Sequence, residues 1–149
     1  MTDHSPDCVG VVVFVVRKLA GGWRFLVLRR SGGRFADQWW PIAGTREADE
    51  DPVDTAVREI AEETGLTPTA LHDTGIAAPV VEATGSLRVF VAFAPAESEV
   101  RLNYEHSDFQ WLSLDDLVAM VPPPSQASIR GVAERFVESA PPADSRVWP

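Results

Sequence analysis

The stretch Gly44–Leu66, GTREADEDPVDTAVREIAEETGL, decides how this chain is read. Asp51-Pro52 opens a helix within it: Asp caps the first free amides, and proline suits a first helical position whose N–H has no partner. Val53, Ala56, Val57, Ile60 and Thr64 then recur at helical spacing and form one packing face. Gly65 is a candidate for the left-handed residue that ends a helix. The spacing therefore predicts a helix over Pro52–Thr64. Glu59, Glu62 and Glu63 stand at i, i+3 and i+4, on one side of it. Carboxylates crowded in this way repel unless a positive charge lies among them, and hard divalent ions such as Mg2+ or Mn2+ take such oxygen ligands. Taken alone, the three glutamates also fit a solvated face built from good helix formers.

Working outward, Val9–Val16 is a continuous β-branched run, the pattern of a strand buried on both faces. Ala20-Gly21-Gly22 is a turn, and Trp23–Leu28 reads as the next strand of a hairpin. A loop from Ser31 leads to Trp39-Trp40-Pro41-Ile42. Further strands are expected at Ile76–Val81, Leu87–Ala94 and Phe109–Leu112. Helices are expected at Leu114–Met120 and Ser125–Ser139, split by Pro122-Pro123-Pro124. About residues 1–7 and 140–149 read as loose termini, with Trp148 a candidate to dock. Strands in runs with few helices indicate α+β, with helices packed on a mixed sheet. No repeat or linker divides the chain, so 1–149 is read as one domain.

Charge narrows the partners. The net charge of -9 argues against a protein held to nucleic acid or to an anionic membrane by bulk electrostatics. The acidity is uneven: residues 1–43 carry six basic and three acidic groups, whereas 44–63 carry two and eight. The single cysteine, Cys8, excludes an internal disulfide framework and a cysteine-ligated zinc site. The longest apolar run falls far short of the roughly 20 residues of a membrane span, and the polar, acidic start is unlike a secretory signal. A cytoplasmic protein is expected.

The run from Gly44 to Leu66 fits every fixed position of G-x5-E-x7-R-E-U-x-E-E-x-G-U, with U aliphatic, through Gly44, Glu50, Arg58, Glu59, Ile60, Glu62, Glu63, Gly65 and Leu66. A chance match is on the order of one in a billion windows at ordinary residue frequencies. In this the chain resembles the Nudix (MutT-like) hydrolases. The resemblance implies an α/β/α sandwich carrying the loop–helix–loop, and Mg2+-dependent cleavage (Mn2+ a possible substitute) of a nucleoside diphosphate linked to another group. It implies that Glu59, Glu62 and Glu63 bind metal, that Arg58 orients the catalytic carboxylate, and that Gly44, Glu50 and Gly65 shape the loops. Two departures stand out: Ala43 occupies a position where the family often has glycine, and so does Asp49, a residue type that tolerates unusual backbone angles.

Beyond the box, Glu105-His106 with Trp111-Leu112 looks like the C-terminal segment of the diadenosine tetraphosphate hydrolases and of the dATP and dihydroneopterin triphosphate pyrophosphatases. By that match Glu105 is a further metal ligand or the general base, and His106 is a candidate phosphate contact. Arg29 and Arg30 end the second strand and Arg34 follows; guanidinium groups there can meet phosphates, and Arg30 also resembles a substrate contact of the dihydroneopterin subgroup. Trp39 and Trp40 face opposite sides if extended, one toward the core and the other, Trp40 in this reading, free to stack on a base. The substrate expected is a nucleoside triphosphate or dinucleoside polyphosphate, acted on by a monomer or homodimer. The residues at Glu82, Ala83 and Thr84 differ from the proline and tyrosine that mark the ADP-ribose and dinucleoside polyphosphate subgroups. An oxidised nucleotide or ADP-ribose-type substrate is the alternative within the family. A non-catalytic nucleotide-sensing module is the alternative outside enzymes, disfavoured by the complete set of box glutamates.

Overall fold

The computed structural model describes residues 8–80 and 84–149; the expectations for residues 1–7, for the end of a strand at Val81 and for Glu82 and Ala83 fall outside them. The elements are β1 (Cys8–Leu19), β2 (Gly22–Arg30), β3 (Trp39–Trp40), β4 (Ile42–Thr45), α1 (Pro52–Thr64), β5 (Ala70–Pro79), β6 (Ser86–Phe93), β7 (His106–Leu112), α2 (Leu114–Met120), α3 (Pro123–Ala133) and β8 (Arg146–Trp148). The strands join in one mixed sheet, β3-β2-β1-β6-β5-β8, with β4 added to β1 and β7 to β2. Among the described strands only β1 and β6 run parallel, Val11 to Val16 opposite Arg88 to Phe93.

Val11–Val16 of β1 is buried on both faces, with Val9 exposed at the start of the strand, and the alternation assigns each residue to a layer. Val11, Val13 and Val15 pack with Val53, Ala56 and Ile60 of α1. Val12, Phe14 and Val16 pack with Leu117 and Val118 of α2, Ile129 and Val132 of α3, and Phe136. The result is an α/β/α sandwich with the sheet in the middle.

One irregularity of the sheet positions the site. β1 and β2 pair only near their shared turn, Val16–Leu19 with Gly22–Phe25. Farther along, β4 pairs with Gly10–Val13 of β1 and β3 with Leu28–Arg29 of β2. The hairpin strands therefore splay, and β3–β4 fills the opening, which lies under the helix α1.

Three local expectations need correction. The Pro122–Pro124 run starts α3 rather than only separating two helices, because Pro123 and Pro124 occupy first-turn positions where no N–H partner is needed. The strand expected at Ile76 begins earlier, at Ala70, and bends at Gly75 (φ 77°), where the pairing with β6 shifts register. The segment 140–149 is not loose: β8 extends the sheet beside Leu71 and His72, Ser145 Oγ lies 2.8 Å from His72 Nδ1, and Val147 and Trp148 pack on the α1-side core.

Candidate active site

Helix α1 forms as its sequence requires. Asp51 accepts the Val53 amide at 2.9 Å, and Gly65 (φ 71°) closes the helix with its N–H on the Ala61 carbonyl. Its apolar stripe lies across β1 and β4, so the glutamate side is carried over the opening between the splayed strands. Gly44 faces this side, since it pairs with Val11. A Cβ at Gly44 would collide with the Glu59 carboxyl, and one at Gly10 would collide with the Gly44 carbonyl. Glycine at 44 is therefore required by close approach rather than by an unusual backbone angle. Ala43 points to the other layer, where its methyl packs in the core, and Asp49 adopts φ 62°.

The three box glutamates do not share one environment. Glu59 and Glu63 are buried, whereas the Glu62 side chain is 51% exposed. The Glu59 and Glu63 carboxyls lie one helical turn apart in this buried setting, where burial and the neighbouring carboxyl each disfavour the ionised form of Glu63. Burial, together with the Glu59 carboxyl and the charge of Glu105, pushes Glu63 up to about 9, against the opposing field of Arg30. Burial also raises Glu59, opposed by Glu63 and by Arg58. Glu63 Oε2 is buried without a hydrogen-bond partner.

Arg58 ties the loop to the helix. Its Nε and Nη2 donate to the two Glu50 oxygens, both at 2.9 Å; Nη1 donates to Glu59 at 3.0 Å and to Glu62 at 3.3 Å, and Nη2 also reaches the Thr45 carbonyl at 3.0 Å. Glu50 accepts further from the Thr55 hydroxyl (2.8 Å) and the Glu47 amide (3.1 Å). The Arg58 hydrogen bonds hold the Glu50 carboxyl down at about 2, and Arg58 in turn is raised chiefly by Glu50. Thr45, Glu47 and Thr55 are partners the box pattern does not mark, because a backbone carbonyl and variable positions leave no fixed residue type.

β2 and β7 bring the remaining groups in. Arg30 pairs with His106, on the α1 side of the sheet with Leu26 and Leu28. Arg30 Nε is buried without a hydrogen-bond partner, and Arg30 bears electrostatically on both Glu63 and His106. Glu105 immediately precedes β7: its carbonyl accepts the Ser31 amide at 2.9 Å, and Asn103 binds both its side chain (3.3 Å) and its amide (3.1 Å). From the sequence, His106 is a hydrogen-bonded loop residue, with a phosphate contact as the alternative. The structure places it at the start of β7, 8% exposed, with Nε2 3.4 Å from Glu63 Oε1, and burial and Arg30 lower its pKa. Arg29 also stands apart, on the opposite face of the strand and paired to Asp37 at 2.9 Å. Trp40 lies opposite Leu28 on the α1 side and is 38% exposed, while Trp39 packs into the other core layer.

The donor set suits a hard cation. It consists of carboxylates, one with an unpartnered buried oxygen; burial and crowding raise Glu59 and Glu63, and a metal ion among them would relieve the crowding. Among the described residues no three acidic, histidine or cysteine side chains already converge as a closed metal site.

A model of the Nudix domain matches residues 6–136. The chain is similar to an octanoyltransferase of Myxococcus xanthus, 33% identical over 129 residues; the match covers 80% of this chain but 35% of that protein, so the chain spans about a third of that relative's length. It is also similar to the asymmetrical bis(5'-nucleosyl)-tetraphosphatase of Caenorhabditis elegans, 32% identical over 114 residues, 73% of this chain and 80% of that one. Among solved structures, a C. elegans Ap4A hydrolase binary complex superposes with a TM-score of 0.72 at 26% identity, covering 84% of this chain and 96% of that chain. With the box on α1, the sandwich beneath it and a domain match over most of its length, the chain belongs to the Nudix family of hydrolases.

Proposed function

We propose that the chain hydrolyses a phosphoanhydride bond of a nucleoside triphosphate or dinucleoside polyphosphate, with Mg2+ as cofactor and Mn2+ able to replace it. The observation that carries this reading is the buried pair Glu59 and Glu63 on one face of the box helix, with Glu63 Oε2 buried and without a hydrogen-bond partner. Glu59, Glu62 and Glu63 are the residues to hold the cations, and Glu105 is either a further ligand or the general base. When bound, these ions neutralise phosphate charge and acidify a water.

The chain's own groups do the rest. Arg58 keeps Glu59 oriented and is itself locked by Glu50, so the ligand side chain spends little entropy in finding its place. Arg30, whose guanidinium acts electrostatically on both Glu63 and His106, is the cation placed to meet phosphate oxygens. Trp40, exposed on the same side, offers a face for a nucleobase. Glu105 is held by Asn103 and stands outside the Arg58 clamp, which suits it to take the proton of the attacking water. The new P–O bond forms as the bridging P–O bond breaks, and the leaving phosphate carries away the negative charge. The C. elegans tetraphosphatase supports a dinucleoside polyphosphate as the first substrate to test.

A panel of nucleoside triphosphates, diadenosine tetraphosphate, ADP-ribose and oxidised nucleotides, incubated with Mg2+ in 18O-labelled water, tests it. Cleavage of a triphosphate or of the tetraphosphate, with label in one product, is expected. Turnover of ADP-ribose or an oxidised nucleotide alone moves the chain to the alternative substrates, and tight nucleotide binding with no turnover moves it to the sensing modules.

A further inference from the structure

The chain contains thirteen aromatic residues of the Phe, Trp and Tyr types. Among the described residues, the exposed ones are Phe35, Trp40 and Tyr104, at 38%, 38% and 88%. Scattered exposed aromatics need no explanation, but these three are not scattered. Phe35 lies in the loop that continues from the Arg30 end of β2, Trp40 lies on β3 opposite Leu28, and Tyr104 sits two residues before His106, the partner of Arg30. All three surround the end of β2 that enters the glutamate cluster.

Their order across the sheet matters. β3 and β7 lie on opposite edges of β2, so Trp40 and Tyr104 flank Arg30 from two sides. Adjacent strands are about 4.8 Å apart, so the two flanking strands stand roughly 10 Å apart across the sheet, and Trp40, opposite Leu28, and Tyr104, beyond the Arg30–His106 pair, are further separated along β2. One base cannot stack on both; two bases joined by a chain of phosphates across Arg30 can. Tyr104 is also held for such a task. It occupies the tip of a turn closed by the His106 amide on the Asn103 carbonyl (3.3 Å), braced by Asn103 Oδ1 on the Glu105 amide (3.1 Å), and anchored to the β2–β3 loop by Ser31 on the Glu105 carbonyl (2.9 Å). A rigid turn that leaves its aromatic almost wholly in solvent is pre-organised to stack.

We propose that Tyr104 is a specificity residue: it stacks on the second nucleobase of a dinucleoside polyphosphate whose first base lies on Trp40. This rests on the reading of the chain as a polyphosphate hydrolase and deepens it. The proposed contact leaves the hydrolytic chemistry to the glutamate cluster.

The test compares kcat/KM for diadenosine tetraphosphate with that for ATP in wild type and variants. Loss of one base-stacking contact is worth roughly tenfold. Tyr104→Ala is therefore expected to lower the ratio of the two specificity constants about tenfold, through KM for the tetraphosphate, and Tyr104→Phe is expected to restore it. Trp40→Ala is expected to weaken both substrates together. An unchanged ratio in Tyr104→Ala, or a Tyr104→Phe ratio as low as that of alanine, overturns the stacking role. A wild-type enzyme that cleaves ATP but not the tetraphosphate overturns it too, while leaving the hydrolase reading intact. Failure to cleave any polyphosphate overturns both.

Discussion

At the scale of single residues, Glu63 and Gly44 carry the sharpest consequences. Glu63→Gln keeps the size and one hydrogen bond of the side chain but removes the charge a cation needs. Turnover with Mg2+ is expected to fall by at least about a hundredfold in steady-state assays, with the circular dichroism spectrum unchanged. The proton held by Glu63 also has a linkage sign. Its folded pKa, about 9, lies above the ordinary 4.5, so its contribution to stability is complete below pH 4.5 and is lost as pH rises through about 9. In chelator, the wild-type melting temperature should therefore decline across that window more than that of Glu63→Gln. Gly44→Ala forces a methyl into the Glu59 carboxyl; a cost of about 1–3 kcal/mol and a loss of activity of at least about tenfold are expected, measured by urea titration and by kcat/KM. Gly44, Arg58 and the glutamates were legible because each belongs to one short contiguous pattern. The burial of His106 and the turning away of Arg29 were not, because a residue's neighbours across a sheet leave no mark on its own stretch of chain.

At the scale of elements, α1 and the loop before it behave as one unit. Glu50 collects Arg58, Thr55 and the Glu47 amide, so the loop is held to the helix by a partly exposed but multiply bonded carboxylate. Its pKa of about 2 lies below the ordinary 4.5. The stabilisation is thus present above pH 4.5 and is lost as pH falls through about 2. After discounting for solvent screening, about 1–2 kcal/mol is at stake. Wild type should lose stability more steeply than Glu50→Gln between pH 4.5 and 2 in denaturant titrations, and the two should differ most near neutral pH. The helix limits were read correctly from Asp51, Pro52 and Gly65, because capping is decided by residues within a few positions of the ends. Strand limits were read less well: the Gly75 bend separates Ala70–Thr74 from the alternation that follows it.

At the scale of the molecule, the sheet does two things no segment foretells. It splays β1 from β2 to admit β3–β4, and it takes up the C-terminal segment as β8. Removal of residues 140–149 would uncover the core beside Val147 and Trp148 and leave His72 without Ser145. A loss of about 2–4 kcal/mol is expected from the apolar area alone, read as a lower urea midpoint. Refolded at low temperature, the truncated chain should still cleave substrate, since β8 lies at the opposite sheet edge from β3 and β7.

The amino-acid sequence settled the family, the position of α1, its caps and the identity of its charged face, all of which rest on periodicities and motifs spanning a few turns of chain. It also settled that the valine run of β1 would be covered from both sides. The sandwich itself decided which glutamates are buried, that burial raises the pKa of Glu59 and Glu63, and that Arg30, Glu105 and His106 gather beside them. Those features depend on the order of strands and on desolvation. Both are set by contacts between segments far apart in the chain, where the electrostatic cost of burying a charge is felt only once the layers have closed.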